Sequence, residues 1–90
     1  MRKIIGAIFP KSFEKSYSRL PLSAKKAFKE RRNLFLLDPQ NPLLNNHALH
    51  ENWAGHRSIN ITGDIRAVFY VEGFIAIFVA IGTHSQLYNE

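Results

Sequence analysis

The chain has 90 residues, no cysteine and a formal net charge of +5 at pH 7. A chain of this length predicts one domain, spanning residues 1–90, with a single modest core. The lack of cysteine excludes a disulfide scaffold and a thiolate metal site. No apolar run approaches the roughly 20 residues that cross a membrane, so we expect a soluble cytoplasmic protein.

The first half of the chain predicts one strand and two helices. Residues 3–9 are apolar and rich in isoleucine, which is typical of a strand, with Gly6 as a bulge or a point of close approach. Residues 10–20 predict a short helix, and Pro21 separates it from a longer helix over residues 23–37. The apolar faces of the two helices consist of Phe13, Tyr17 and Leu20, and of Ala24, Ala27, Phe28, Leu34 and Phe35.

Charge is distributed unevenly along the chain. Residues 1–37 contain ten basic and two acidic side chains, a net charge of +8, whereas residues 38–90 sum to −3. Lys25, Lys29 and Arg32 follow one another at helical spacing and form a basic stripe on the second helix. This half of the chain predicts a polyanionic partner such as nucleic acid, and the alternative is a solvated helix face.

The second half predicts a loop and three strands. The prolines of the segment DPQNPLLNN, residues 38–46, end the second helix and keep another from starting. Residues 56–62 alternate polar and apolar, and residues 65–71 and 74–81 are apolar strands joined by a hairpin at Glu72 and Gly73. The order β-α-α-β-β-β predicts an α+β fold in which two N-terminal helices pack on a mostly antiparallel four-stranded sheet.

The histidines are the most informative side chains. His47, His50 and His56 lie close together in sequence, and His84 is near the C-terminus. A zinc site is disfavoured because no cysteine or paired acid completes the ligand set, and a serine hydrolase is disfavoured because no G-x-S-x-G turn is present. Metal-free RNA cleavage fits better, since it needs a base, an acid and cations for the phosphate. A single histidine is more often a surface or capping residue than a catalytic one. The functional interpretation depends on a set of residues that would act at one phosphate: His47, Arg57, Asp64, Arg66 and His84.

A set of motifs adds a family resemblance. His47 precedes a loop tryptophan, Trp53; Arg57 opens a strand in the triplet Gly-His-Arg; Asp64 follows seven residues later. Gly-Thr-His ends at His84, and Tyr88 follows four residues after it. This pattern resembles the RelE/ParE superfamily of toxin–antitoxin toxins, and in particular its YafQ branch.

The resemblance implies a ribosome-dependent mRNA endonuclease, without metal or other cofactor, that a cognate antitoxin inhibits within a toxin–antitoxin hetero-oligomer. It implies catalytic roles for His47, Asp64 and His84, whereas His50 and His56 match no catalytic position. Arg66 matches an arginine with which RelE-like members hold phosphate. Together with Arg57, Tyr88 and the basic stripe, Arg66 completes our expected RNA-binding set.

Three positions depart from the YafQ-like pattern. Asn60 stands where these toxins carry a further catalytic histidine, and Ala80 where they carry an arginine. Glu51 replaces a glycine before the tryptophan, which predicts a strained turn and places a negative charge near the site. Because of these departures, a ParE-type inhibitor of DNA gyrase and a decayed toxin that only binds antitoxin stay open as alternatives.

Two aromatic residues allow two interpretations each. Trp53 stacks on a base or, as we favour, pins its loop to the core. Tyr88 acts at the RNA or caps the edge of the sheet, and the sequence favours neither.

Overall fold

A computed structural model of the chain describes residues 3–88, in which five strands form one sheet in the order β1-β5-β4-β3-β2. Strand β1 pairs in parallel with β5, and all other neighbours are antiparallel. In chain order the elements are β1 (Gly6–Ile8), α1 (Lys11–Ser18), α2 (Leu22–Leu37), β2 (His47–Ala48), β3 (Arg57–Asn60), β4 (Ile65–Glu72), β5 (Ile75–Thr83) and α3 (His84–Tyr88).

The α+β class, the order of the predicted elements and the mostly antiparallel sheet are confirmed. The strand count was wrong, because the sheet has five strands rather than four. The additional strand, β2, has only two residues and is too short to show the alternation of apolar and polar residues that marks a strand. It forms because residues 47 and 48, which follow the proline-rich loop, pair antiparallel with β3. The short helix α3 was also not predicted.

A cluster of phenylalanine rings joins the two long helices to the sheet. Phe69 on β4 and Phe78 on β5 are cross-strand partners with ring centroids 5.1 Å apart. Phe35 of α2 contacts both rings, at 5.0 and 5.6 Å, and Phe13 of α1 contacts Phe78 at 5.9 Å. Each such pair contributes about 0.5–1.5 kcal/mol beyond its buried area. Both helices therefore pack on one face of the sheet, with the apolar residues predicted for their inner faces buried or packed against the core.

The local details differ from the predictions at two places. Gly6 forms no bulge: it pairs regularly with Ile75, and the irregularity of the sheet lies between β4 and β5 at Val68 and Phe69. The proline-rich loop contains a 3₁₀ turn, Pro42–Leu44, where we expected no helical structure. The side chain of Asn41 accepts a hydrogen bond from the Leu43 amide and caps this turn, and proline is well suited to the first position of a helix.

The register of the sheet decides which side chains point toward α1 and α2 and which point to the other face of the sheet. Directly paired residues in an antiparallel sheet point to the same face, and neighbours along a strand point to opposite faces. Ile59 and Ala67 are partners in the core that the helices cover. The pairs on either side of them therefore point away from α1 and α2: His47 with Ser58, Ser58 with Val68, and Asn60 with Arg66. None of the helices in residues 3–88 is long and apolar enough to cross a membrane.

Candidate active site

A cleft of about 390 Å³ opens beside β2, β3 and α3. Four of the predicted site residues border it, namely His47, Arg66, His84 and Tyr88, and the lining is completed by Asn45, Leu49, His50 and Trp53. The sheet register explains part of this set, since it directs His47 and Arg66 to the same face. Within residues 3–88, no group of three histidine, aspartate or glutamate side chains is arranged to hold a metal ion.

His47 is oriented by a backbone contact that also defines its tautomer. Its Nδ1 lies 2.7 Å from the carbonyl oxygen of Asn45. A carbonyl oxygen can only accept, so Nδ1 carries the hydrogen and donates it. The lone pair of the neutral ring is then on Nε2, the atom that can take a proton from a substrate. Asn45 has a left-handed backbone with φ of 46°, which turns the chain so that its carbonyl meets the ring.

A series of contacts runs from the strand partner of His47 to the ring of His84. His47 is the strand partner of Ser58, a fully buried serine. The hydroxyl of Tyr88 donates to Ser58 Oγ at 3.2 Å, which gives this buried oxygen a partner. The ring of Tyr88 lies edge-on to the imidazole of His84, with centroids 4.6 Å apart. Tyr88 therefore joins α3 to the sheet and contacts the ring of His84, and its predicted role at the RNA stays a prediction.

His84 stands at the start of α3, on a rigid support. Its backbone amide donates to the carbonyl oxygen of Asp64 at 3.2 Å, which ties it to the turn before β4. Thr83 and Gln86 form reciprocal hydrogen bonds: the Thr83 amide donates to Gln86 Oε1 at 2.8 Å, and the Gln86 amide to Thr83 Oγ1 at 3.1 Å. This is a capping box, which stabilises the first turn of the helix. The sequence G-T-H-S-Q therefore contains both the histidine and the cap that orients it.

Arg66 supplies the positive charge of the cleft. Its Nη1 donates to the carbonyl oxygens of Thr62 and Gly63, both at 3.1 Å. These bonds hold one arm of the guanidinium against the turn before β4. The planar fork has further N–H groups on Nε and Nη2, and a fork held in one orientation is suited to a phosphate.

Arg57 has a different environment from the one that we expected. It lies one residue before Ser58 on β3, so the alternation of side chains turns it away from the face of His47 and Arg66. Its Nε donates to Asn46 Oδ1 at 2.8 Å and its Nη2 to the Asn46 carbonyl oxygen at 3.4 Å. These bonds fix the residue that precedes His47. Arg57 and Asp64 are absent from the cleft lining, and their predicted roles at the RNA stay predictions.

The basic stripe lies elsewhere on the molecule. Lys29 and Arg32 border a separate groove of about 200 Å³, whose other walls include the aromatic side chains of α1 and α2. The ammonium of Lys25 lies 5.9 Å from the ring of Tyr17, a cation–π distance. The stripe is thus not part of the wall of the cleft.

The tryptophan loop shows the role of three residues more clearly than the sequence did. Trp53 Nε1 donates to the Leu87 carbonyl oxygen at 2.9 Å, which attaches its loop to α3 rather than to the core, and stacking of Trp53 on a base stays a prediction. His56 packs edge-on between Trp53 and Tyr70, at 5.3 and 5.5 Å, and is structural. His50, which matched no family position, borders the cleft. Its spacing of three residues from His47 was the only sequence signal for this location.

Comparison with known proteins agrees with the motifs. Residues 7–89 match the model of the family described as "Bacterial toxin of type II toxin-antitoxin system, YafQ". No curated protein sequence matches the chain.

Similar solved structures include YafQ from Escherichia coli strain BL21(DE3), with a TM-score of 0.73 and 19% identity over 91% of this chain and 96% of that one. The solution structure of the conserved hypothetical protein HP0894 from Helicobacter pylori has a TM-score of 0.65 and 28% identity over 93% and 99%. The E. coli DinJ–YafQ toxin–antitoxin complex contains a chain with a TM-score of 0.70 and 18% identity, over 91% and 94%. Because the family model covers nearly the whole sequence, the chain belongs to the YafQ family of bacterial toxins of type II toxin–antitoxin systems.

Proposed function

We propose that this toxin is an endoribonuclease that cuts mRNA on the ribosome by metal-independent acid–base chemistry. The observation that carries the proposal is the convergence of His47, Arg66 and His84 around one cleft. Cleavage at a 2′-hydroxyl needs a base to remove its proton, an acid to protonate the leaving 5′-oxygen and a cation to stabilise the charged phosphorane. These three side chains are of the types that supply those functions.

The geometry favours a division of labour between the two histidines. We assign the base to His47, because its contact with Asn45 leaves the lone pair on Nε2. We assign the acid to His84, which borders the same cleft and lies on the first turn of α3, where the capping box and Tyr88 hold it. Asp64, joined to His84 through the backbone, is the proposed electrostatic partner of the imidazolium form. Arg66 holds the phosphate.

The basic half of the protein supports a large polyanionic partner. Lys25, Lys29 and Arg32 lie on α2, outside the cleft, and a scissile phosphate bound in the cleft leaves this stripe available for other RNA. We propose that the stripe contacts the ribosome while the cleft holds the message. Attraction of this kind is independent of sequence and weakens as salt increases.

A cognate antitoxin is the second proposed partner. One of the similar structures is the E. coli DinJ–YafQ toxin–antitoxin complex, in which a chain shares the fold of this protein. A segment with acidic and apolar residues would complement the groove that Lys29 and Arg32 share with Phe9, Phe13 and Phe28. We therefore propose that the toxin is held in a hetero-oligomer until the antitoxin is removed.

The test is cleavage of a translated message by the purified toxin. Sequencing of new 5′ ends should show cuts within the open reading frame when ribosomes translate it, and few cuts in the same RNA without ribosomes. His84→Ala and His47→Ala should each lower the rate by about 10²–10⁴, the usual contribution of an acid or base. Ser85→Ala is the matched control, because Ser85 is exposed beside His84 and does not border the cleft.

Two results would contradict the proposal. A His84→Ala toxin that still cuts message at the normal rate would show that the chemistry is assigned to the wrong residue. A wild-type toxin that stops growth without cutting RNA, and that inhibits DNA gyrase in a supercoiling assay, would establish the ParE-type alternative instead.

A further inference from the structure

A second cavity adjoins the proposed active-site cleft. It has a volume of about 310 Å³ and is lined by His50, Glu51, Asn52, Trp53, Leu87 and Tyr88. Three of these side chains, His50, Trp53 and Tyr88, also border the cleft. The two cavities therefore share a wall, and a strand of RNA bound in the cleft would place a neighbouring nucleotide at the second cavity, which we name the flanking pocket.

The wall of the flanking pocket contains a backbone conformation that is unfavourable for its residue. Glu51 has φ of +56°, a left-handed value that glycine adopts readily and a long side chain rarely adopts. The conformation is maintained by the 3₁₀ turn Glu51–Trp53 and by the bond between Trp53 and Leu87. The turn thus places an exposed carboxylate at the edge of the pocket, at a free-energy cost that glycine would avoid.

The charge of Glu51 indicates which part of a nucleotide it would meet. A carboxylate repels a phosphate, so Glu51 is unsuited to the backbone and suited to a base edge that presents hydrogen-bond donors. Guanine presents two adjacent donors, N1–H and N2–H, whose spacing matches the two oxygens of a carboxylate. Cytosine and adenine offer one amino group at the corresponding edge, and uracil one imino group. Bases of single-stranded RNA are commonly stacked on aromatic rings and read at this edge, and the pocket has Trp53, Tyr88 and His50 in its walls.

We propose that the flanking pocket binds the base of a nucleotide next to the cleaved phosphate and that Glu51 makes it select guanine. This inference rests on the proposed function, because it concerns the RNA that the cleft would cut. Asn52, exposed beside Glu51, also lines the flanking pocket, and its amide can both donate and accept hydrogen bonds. Glu51 is in this account a specificity residue and takes no part in the proton transfers.

The experiment uses the purified full-length toxin and a translating ribosome system with a reporter message that contains a randomised codon. The 5′ ends of the products give the frequency of each base at the positions on either side of the cut. In Glu51→Gln the side chain keeps its size but one acceptor becomes a donor, which would face a donor of guanine. Glu72→Gln is the matched control, because Glu72 is exposed at the hairpin end of β4, at the other end of the strand from Arg66.

Wild-type toxin should favour guanine at one flanking position. Glu51→Gln should lower the frequency of guanine there, relative to the other bases, by roughly tenfold, the discrimination typical of a two-bond contact to a base. Glu72→Gln should keep the wild-type profile. An equal guanine frequency in wild type and Glu51→Gln, or a wild-type profile without guanine preference, overturns this inference while cleavage itself stands. A wild-type toxin that makes no cuts overturns the proposed function and this inference with it.

Discussion

The hydrogen bond between Tyr88 and Ser58 offers a direct test of how α3 is attached to the sheet. Ser58 is fully buried, and Tyr88 is the donor to its Oγ at 3.2 Å. Tyr88→Phe removes the donor and leaves a buried oxygen that has lost this partner. We expect the free energy of unfolding to fall by about 1 kcal/mol. For a domain of this size, that corresponds to a decrease in Tm of roughly 4–8 °C.

A double-mutant cycle isolates the contribution of the hydrogen bond. Ser58→Ala alone leaves the half-buried Tyr88 hydroxyl able to reach water, so we expect a smaller loss, about 0.5 kcal/mol. The double variant should lose little more than Tyr88→Phe alone, because neither polar group then remains without a partner. Urea unfolding followed by circular dichroism measures all four proteins. If the loss of unfolding free energy in the double variant equals the sum of the losses in Tyr88→Phe and Ser58→Ala, the hydrogen bond does not stabilise the fold and our account of α3 is wrong.

The same variants separate structure from chemistry. Tyr88→Phe keeps the ring that contacts His84 at 4.6 Å, whereas Tyr88→Ala removes it. We expect RNA cleavage by Tyr88→Phe to decrease less than about tenfold, and cleavage by Tyr88→Ala to decrease more, because misplacement of a catalytic group is costly. Equal cleavage rates for the two variants would show that the ring does not position His84.

Three further predictions concern the core, the strained turn and the departure at Asn60. Phe35→Ala should lower the free energy of unfolding by about 3–5 kcal/mol in urea titration, because the ring is fully buried between Phe69 and Phe78. Glu51→Gly should raise the free energy of unfolding by about 1 kcal/mol, since glycine accepts a φ of +56°. An unchanged or lower free energy of unfolding would show that the backbone at Glu51 is not strained. Asn60→His should raise the rate of RNA cleavage by about tenfold or more, because this position is paired with Arg66 and an imidazole there would add a proton carrier; a slower enzyme would refute that reasoning.

Much of the fold could be predicted from the sequence because the patterns are local. The 3.6-residue spacing of Ala24, Phe28 and Phe35 identifies the face of α2 that packs on the sheet, and all three are buried. The apolar runs of β4 and β5 identify the two longest strands. Strand β2 carries no such pattern, because two residues are too few to alternate. Its presence depends on pairing with β3, which is a tertiary contact.

In the candidate site, too, the sequence indicated some features and only the tertiary structure decided others. Residue types and spacing alone indicated histidines and arginines for RNA chemistry, and the unfavourable turn at Glu51 was expected because the backbone preference of glycine is a property of the residue itself. Which of those side chains meet was decided only by the register of the sheet. Arg66 borders the cleft and Arg57 does not, because pairing of Asn60 with Arg66 places Arg57, three residues earlier on β3, on the opposite face. Likewise, the contact between Tyr88 and Ser58 joins residues 30 positions apart, and only the folded chain brings them together.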